Sequence, residues 1–410
     1  MRQLRFCLVT TFYPPYNFGG DGVFVYRLAH ALARRGHQVA VIHAADAFEL
    51  LGGRPASGGY PDHPNITIHA LRGSSRLDAL LSHQLGRPTQ HAAALERILD
   101  REQFDVIHFH NISLLGGPGV LAYGRGVKLC TMHDYWFVCA THVLWRFDRE
   151  PCTQRTCLAC TLVAKRPPQL WRYTGAIARA AQHVDAFLAG SDFACQAAAA
   201  NGFPAAVRRL AHFMPDAEAD SPATAAPHAR PYFLYVGRLE RLKGPQTLVE
   251  AFRQYRAADL IIVGAGALEA ELRAAAAELP HIHIRSWTPH HQLRGLYQGA
   301  IAALLPSLCY ETFGLVGIEA FAAGTPLIVH AIGALPELVE PTRTGLIYRD
   351  QAELLVALES LRANPELRAT MGAQGRLRYQ NSYTEQRHMQ DYLALIEEIQ
   401  ASKAEQGATA

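Results

Sequence analysis

No run of this sequence is apolar for anything near the roughly 18 residues that a membrane-crossing helix needs. Its opening, MRQLRFCLVTTFYPP, keeps only Phe6 to Val9 apolar before prolines intervene. A secretory leader has a longer apolar centre, so none is expected. The reading is a cytoplasmic protein whose only membrane contact would be peripheral, at the inner face. Cysteine is scarce, 8 in 410 residues, which excludes a disulfide scaffold. An excess of one charge is also missing: 39 Lys and Arg against 36 Asp and Glu leave a formal net charge of +3. That balance argues against the basic footprint of a nucleic-acid binder, so no nucleic-acid partner is expected. What is present is a chain 49% hydrophobic and 18% charged, longer than one core usually supports, which points to two domains.

Both halves alternate short apolar runs with amphipathic stretches. RFCLVT, HQVAVIHA, FDVIHFH, VKLCTM and VDAFLAG in the first half are continuous apolar runs of strand length, the pattern of a parallel sheet covered on both faces. VFVYRLAHALARRG spaces Phe24, Leu28 and Leu32 for one helix face and stops at Gly36. Residues 216–231, DAEADSPATAAPHARP, have few large apolar side chains and read as a linker. The pattern then resumes with YFLYV, DLIIVG, HIHI, AIAALL, PLIVHA and GLIY. The expected organisation is an α/β domain over 1–215, the linker, a second α/β domain over 232–385, and a tail over 386–410. Doubly wound sheets of this kind bind ligands at the carboxyl ends of their strands.

The polar constellations fall at those ends. After YFLYV comes GRLERLKG, whose Arg238 and Lys243 suit a diphosphate, although a solvated basic loop would read the same way. After AIAALL comes PSLCYETFGLVGIEAFAAGTP, with Gly314 where the next helix should start. The amides of Phe313, Gly314, Leu315 and Val316 would then form an anion site. Glu311 precedes that start and Glu319 lies inside the helix. Each suits a sugar or ribose hydroxyl, the alternatives being a helix cap for Glu311 and plain exposure for Glu319. In the first half Gly19 and Gly20 would let a ligand approach the backbone. His133 follows VKLCTM as an imidazole at the same end of its sheet. VGAG, with Gly264 and Gly266, lacks the third glycine of a dinucleotide loop.

Taken in order, these motifs resemble glycosyltransferase family 4. The resemblance rests on GG at 19–20, D.IH.H at 105–110, HD at 133–134, VGRL…KG at 236–244, PS at 306 and the E-x7-E pair Glu311 and Glu319. A.G.P at 323–326 and Glu337 complete it. It implies a GT-B fold, two facing Rossmann-like domains with a cleft between them and a last helix crossing back to the N-terminal domain. It also implies a retaining enzyme that moves a sugar from a nucleotide-diphosphate donor, UDP- or GDP-linked, to a hydroxyl acceptor. Glycans, lipid-linked glycans and small metabolites all qualify as acceptors. In the family's pattern Arg238 and Lys243 hold the diphosphate, Glu311 contacts the transferred sugar and Glu319 the ribose. The amides at 313–316 bind phosphate and sugar, and His133 lies near the sugar and the acceptor. Ile284 and Arg285, with Ser286 and Trp287, stand where the family usually has F-x-G facing the base.

Paired carboxylates also suit a glycosidase, but an Arg/Lys pair with helix amides suits a diphosphate leaving group better. In the family the acceptor attacks from the face the diphosphate leaves, and no catalytic metal is expected, since Arg238, Lys243 and the amides supply positive charge. Other readings on this architecture are a sugar-nucleotide epimerase, a phosphorylase, or a zinc-bearing binding protein with a dead cleft. Cys139, Cys152, Cys157 and Cys160 lie in an insertion at about 136–172 and could close a structural zinc site, with a redox pair or plain thiols as the alternatives. Trp136, Trp145, Arg146, Lys165, Arg166, Trp171 and Arg172 in that insertion suit a sugar or an anionic membrane surface, the alternative being ordinary core and surface.

Overall fold

The computed structural model describes residues 2–409 apart from Arg54, 56–59, 74–75, Ala217, 219–227, Trp287, Pro289 and Pro341. Most of the expected linker at 216–231 therefore lies outside the described residues, as does Trp287.

The chain divides into two compact units, one of residues 1–210 with 389–410 and one of residues 211–388. The first unit holds strands β1 (Arg5–Val9), β2 (Gln38–Ala44), β3 (Ile66–Leu71), β4 (Val106–Phe109), β5 (Val127–Met132), β8 (Ala186–Ala189) and β9 (Val207–Arg209). They form one sheet in the order β3-β2-β1-β4-β5-β8-β9, every pair parallel. Phe6 to Val9 are wholly buried, as a strand covered on both faces requires. The helix Gly20–Arg34 turns Phe24, Leu28 and Leu32 inward, the face its spacing predicted.

The second unit repeats the plan. Strands β10 (Tyr232–Val236), β11 (Asp259–Val263), β12 (Ile282–Arg285), β13 (Ala303–Leu305), β14 (Leu327–His330) and β15 (Gly345–Tyr348) lie in the order β12-β11-β10-β13-β14-β15, all parallel. In both sheets the order reverses beside the first strand, the switch point at which doubly wound sheets take ligands.

The unit boundary falls at 210, ahead of the expected linker, because Ala211–Met214 pack within the second unit. Met214 N–H donates to the Tyr383 carbonyl at 3.1 Å, and the Phe213 and His388 rings are 4.7 Å apart. From Met389 the last helix, Glu385–Thr409, belongs to the first unit. It buries Met389, Tyr392 and Ile396 there, and adds ion pairs Arg208–Glu398 at 2.9 Å and Asp185–Lys403 at 2.6 Å.

The cysteine-bearing insertion contains a two-strand antiparallel ribbon, β6 (Trp145–Arg146) with β7 (Glu150–Pro151), followed by the helix Cys157–Val163. His142, Leu144, Phe147 and Asp148 carry positive φ without being glycine.

Candidate active site

Strand β10 ends at Val236, and the loop after it returns through a short turn, Arg241–Lys243, into the helix Pro245–Gln254. Lys243 Nζ donates to Glu311 Oε1 at 2.7 Å, and Ser307 Oγ donates to the same oxygen at 2.5 Å. Burial alone would raise the Glu311 carboxyl. The Lys243 ammonium, the bonds from Lys243 and Ser307, and the Arg238 guanidinium outweigh it and hold Glu311 below the usual carboxylate range. Glu311 is thus a fixed anion with one oxygen occupied twice, one loop before the following helix.

That N-cap is Gly314, at φ +95°. The left-handed conformation costs a side-chain-bearing residue energy, and a Cβ here would stand 3.1 Å from Leu338 Cδ1. The helix Leu315–Ala322 begins there, so its first-turn amides lack an i−4 acceptor and can serve an anion. Gly333, at φ +60°, lies against Glu311, and a Cβ would be 2.6 Å from the Glu311 nitrogen. Ala334 N–H donates to the Glu311 carbonyl at 3.0 Å. The backbone carrying Glu311 is therefore clasped from the far side of the loop.

Glu319 is half-buried rather than plainly exposed, and accepts from Tyr297 Oη at 3.1 Å. Burial, reinforced by the Glu319 charge, raises the Tyr297 phenol far enough to keep it a donor. The Arg238 guanidinium donates to Glu240 at 2.8 Å on its own loop. Cys309, buried between these groups, has its thiol pushed up to about 11, mainly by burial, and stays protonated near neutrality. Ile284 and Arg285 end β12, where Arg285 O accepts from Gly264 N–H at 3.1 Å. Gly264 and Gly266 serve packing: a Cβ on Gly266 would sit 2.5 Å from the Leu239 carbonyl oxygen.

In the first unit Gly19 caps the helix that Gly20 begins, held by Asn17, whose side chain donates to Gly19 O at 2.8 Å and accepts from Gly19 N–H at 3.1 Å. His133 follows β5 directly. Its Nε2 is 2.9 Å from His110 Nδ1, and Phe24 packs 5.4 Å away. Burial lowers the His133 pKa against the opposing pull of Asp21 and Asp134, so the ring is neutral near neutrality. Behind it the His108 ring lies tilted 4.0 Å from that of His110, with Thr131 at 2.8 Å and Tyr392 at 3.0 Å on its two nitrogens.

The sequence-based choice of residues missed Ser307, Tyr297 and Tyr392 as partners. Ser307 carried one signal, its place in the PS of the strand-end motif; the other two carried none.

The four cysteines of the insertion share a neighbourhood. Burial, then the Cys139 charge, raises the Cys152 and Cys157 thiols. Phe147 N–H points at Cys160 Sγ at 3.4 Å. Yet among the described residues no three of these sulfurs lie within 4.8 Å of one another, whereas a tetrahedral zinc site sets them about 3.8 Å apart. Asp134 instead organises the start of the insertion, accepting from Trp136 N–H at 2.8 Å and meeting His142 Nδ1 at 2.7 Å.

Residues 18–212 match the family described as Glycosyltransferase Family 4, and residues 216–378 that described as Glycosyl transferases group 1. The chain belongs to glycosyltransferase family 4. Among its relatives, this transferase is 27% identical over 409 residues to the alpha-maltose-1-phosphate synthase of Mycolicibacterium smegmatis, covering 92% of this chain and 94% of that one. It is 28% identical over 393 residues to a D-inositol 3-phosphate glycosyltransferase of Arthrobacter, covering 86% and 84%. In structure it matches sucrose-phosphate synthase from Thermosynechococcus elongatus with a TM-score of 0.72 at 23% identity, over 98% of this chain and 100% of that one. Anabaena HepE in complex with UDP matches with a TM-score of 0.67 at 15% identity, over 97% and 100%. These likenesses show the fold, GT-B. The enzyme is a glycosyltransferase that uses a nucleotide sugar.

Proposed function

We propose that this transferase binds a UDP- or GDP-sugar at the carboxyl end of its second sheet and transfers the sugar with retention. The observation that carries the reading is the anion Glu311, fixed by Lys243 and Ser307 one loop before a glycine-capped helix start. In this reading Lys243 holds its cation between Glu311 and the donor diphosphate, with the amides of residues 313–316 on the phosphates. Arg238 leaves Glu240 to join them, a small loss because that pair is exposed. Glu311 positions the transferred sugar and Glu319 the ribose. His133, with Gly19 and Gly20, serves the sugar and the acceptor. Lys243, Arg238 and the amides supply the positive charge that stabilises the departing diphosphate, so the donor needs no metal. That HepE has been solved with UDP and with UDP-glucose supports a uridine donor.

The finer reading of location is peripheral binding at the cytoplasmic membrane face, with a hydroxyl acceptor held at that surface. No described helix is long and apolar enough to cross a membrane, yet large apolar side chains are exposed together in one part of the first unit. Leu77, Leu81 and Leu85 stand out from the helix Arg76–Leu85, and Leu162 and Leu170 from the insertion. Trp171 Nε1 donates to the His83 carbonyl at 2.9 Å, which joins the two segments. Exposed Lys165 and Arg166 lie between Leu162 and Leu170, the mixture of apolar and basic groups that suits an anionic lipid surface.

Thermal shift against UDP, GDP and their sugars, with and without EDTA, tests the donor site. One nucleotide is expected to raise Tm regardless of EDTA, and Glu319→Ala to weaken that rise. No shift from any nucleotide would count against the assignment. Co-sedimentation with phosphatidylglycerol and with phosphatidylcholine vesicles tests the surface separately. Binding to the first alone, lost in Leu77→Ser/Leu81→Ser, is expected; equal recovery with both lipids, or none with either, would reject it.

A further inference from the structure

At the other end of the second sheet, away from the loops that carry Lys243 and Glu311, two imidazoles converge on one carboxylate. Asp259 is the first residue of β11, and His283 lies on β12 opposite Ile261. Strand alternation therefore puts Asp259 and His283 on one face of the sheet. His228 comes from the segment that leads into β10, its ring 5.3 Å from that of Tyr232. His228 Nε2 is 2.7 Å and His283 Nε2 3.1 Å from the same oxygen, Asp259 Oδ2. Among the described residues this is the one group of three or more His, Cys, Asp or Glu whose ligand atoms all lie within 4.8 Å of one another.

We propose that His228, Asp259 and His283 form a binding site for a divalent transition-metal ion, zinc by preference. Two imidazole nitrogens and one carboxylate oxygen are a donor set that such ions favour over magnesium or calcium. Three protein ligands leave a fourth position for water, and an entry path exists: the Asp259 side chain is 3% exposed but that of His283 is 36% exposed. The other Asp259 oxygen faces Arg230 Nη1 at 3.1 Å, the outer contact that orients a ligating carboxylate.

The site has no part in transfer chemistry, since it sits at the amino ends of the strands. Its effect is structural. An ion there would tie the segment entering β10 to β11 and β12, three positions distant in sequence. The inference is independent of which donor or acceptor the enzyme uses.

Two candidate zinc sites in one chain require a test that tells nitrogen and oxygen ligation from sulfur. The full-length protein, stripped with a chelator and kept reduced, is titrated with cobalt and then with zinc against a chromophoric competitor. One equivalent with ligand-field absorption and no sulfur-to-cobalt charge-transfer band is expected, unchanged in Cys157→Ser/Cys160→Ser. In His228→Gln/His283→Gln the affinity should fall by about 100-fold or more, and zinc should no longer raise Tm as it does in the parent. Glutamine keeps a donor toward Asp259, and the Tm of the metal-free variant checks that the fold survives. No bound equivalent, an equivalent that the histidine variant keeps, or one that shows the sulfur band would overturn the proposal.

Discussion

Lys243 and Glu311 form a pair that a surface ion pair does not resemble. Their side chains are only 26% and 17% exposed, so neither has water enough to stand alone. Removing the ammonium would leave Glu311 with its desolvation but without the main charge that offsets it. The sign follows: the Glu311 pKa is depressed in the folded enzyme, and in Lys243→Met it rises. The parent is expected to keep the acidic limb of its kcat/KM profile below the ordinary carboxylate range, and Lys243→Met to move that limb upward. The plateau should fall by about 100-fold, the usual cost of one charge-stabilising donor. A pH–rate series on both proteins reads the two effects separately, and a lower plateau with an unmoved limb would mean Lys243 acts on the donor alone. The acids themselves were legible in the sequence, because their spacing around a glycine has a chemical meaning. Their partners were not: Tyr297 reaches Glu319 across 22 residues, and only the fold makes them neighbours.

At the scale of elements, apolar runs of strand length became parallel strands in both halves, and one glycine fixed where a helix starts. Gly314 does this with a backbone that other residues adopt at a cost. Gly314→Ala should destabilise the enzyme by about 1–2 kcal/mol and displace the amides of the first helical turn. Chemical denaturation of the variant should show that loss, and a nucleotide that shifts the parent's Tm should shift the variant's less. An unchanged nucleotide shift on a destabilised protein would detach the helix start from donor binding. The insertion was the least legible element. Its ribbon strands have two residues each, too short for any period to show. Its turns put Leu144 and Phe147 at positive φ, where sequence rules look for glycine, asparagine or aspartate. The clustered cysteines advertise a metal site in the sequence, whereas the group of possible ligands that lies together among the described residues is a histidine from the end of the connector and two residues from separate strands. Such a triad has no spacing in sequence to advertise it.

For the whole molecule, two sheets of like order follow from the same grammar in each half, and that much could be read directly. The unit boundary could not, because composition marks where large apolar residues stop, whereas Ala211–Met214 are claimed by contacts with Tyr383 and His388. The last helix shows the same thing more strongly, since its closing residues serve the first unit. Tyr392 is fully buried there, stacked on His108 at 5.4 Å and bonded to its Nδ1 at 3.0 Å. Through His108 it backs the ring of His110, which touches His133. Two variants separate its packing from its hydrogen bond. Tyr392→Ala should cost about 3–5 kcal/mol, as for deletion of a buried aromatic ring. Tyr392→Phe should cost only about 1 kcal/mol in stability, but it frees His108 to change tautomer or tilt. If that chain sets the His133 ring, Tyr392→Phe lowers kcat while leaving donor KM unchanged, and the His133 imidazole resonance moves in the NMR spectrum. Full activity with an unmoved resonance would make Tyr392 a packing residue and confine the last helix to holding the first unit together.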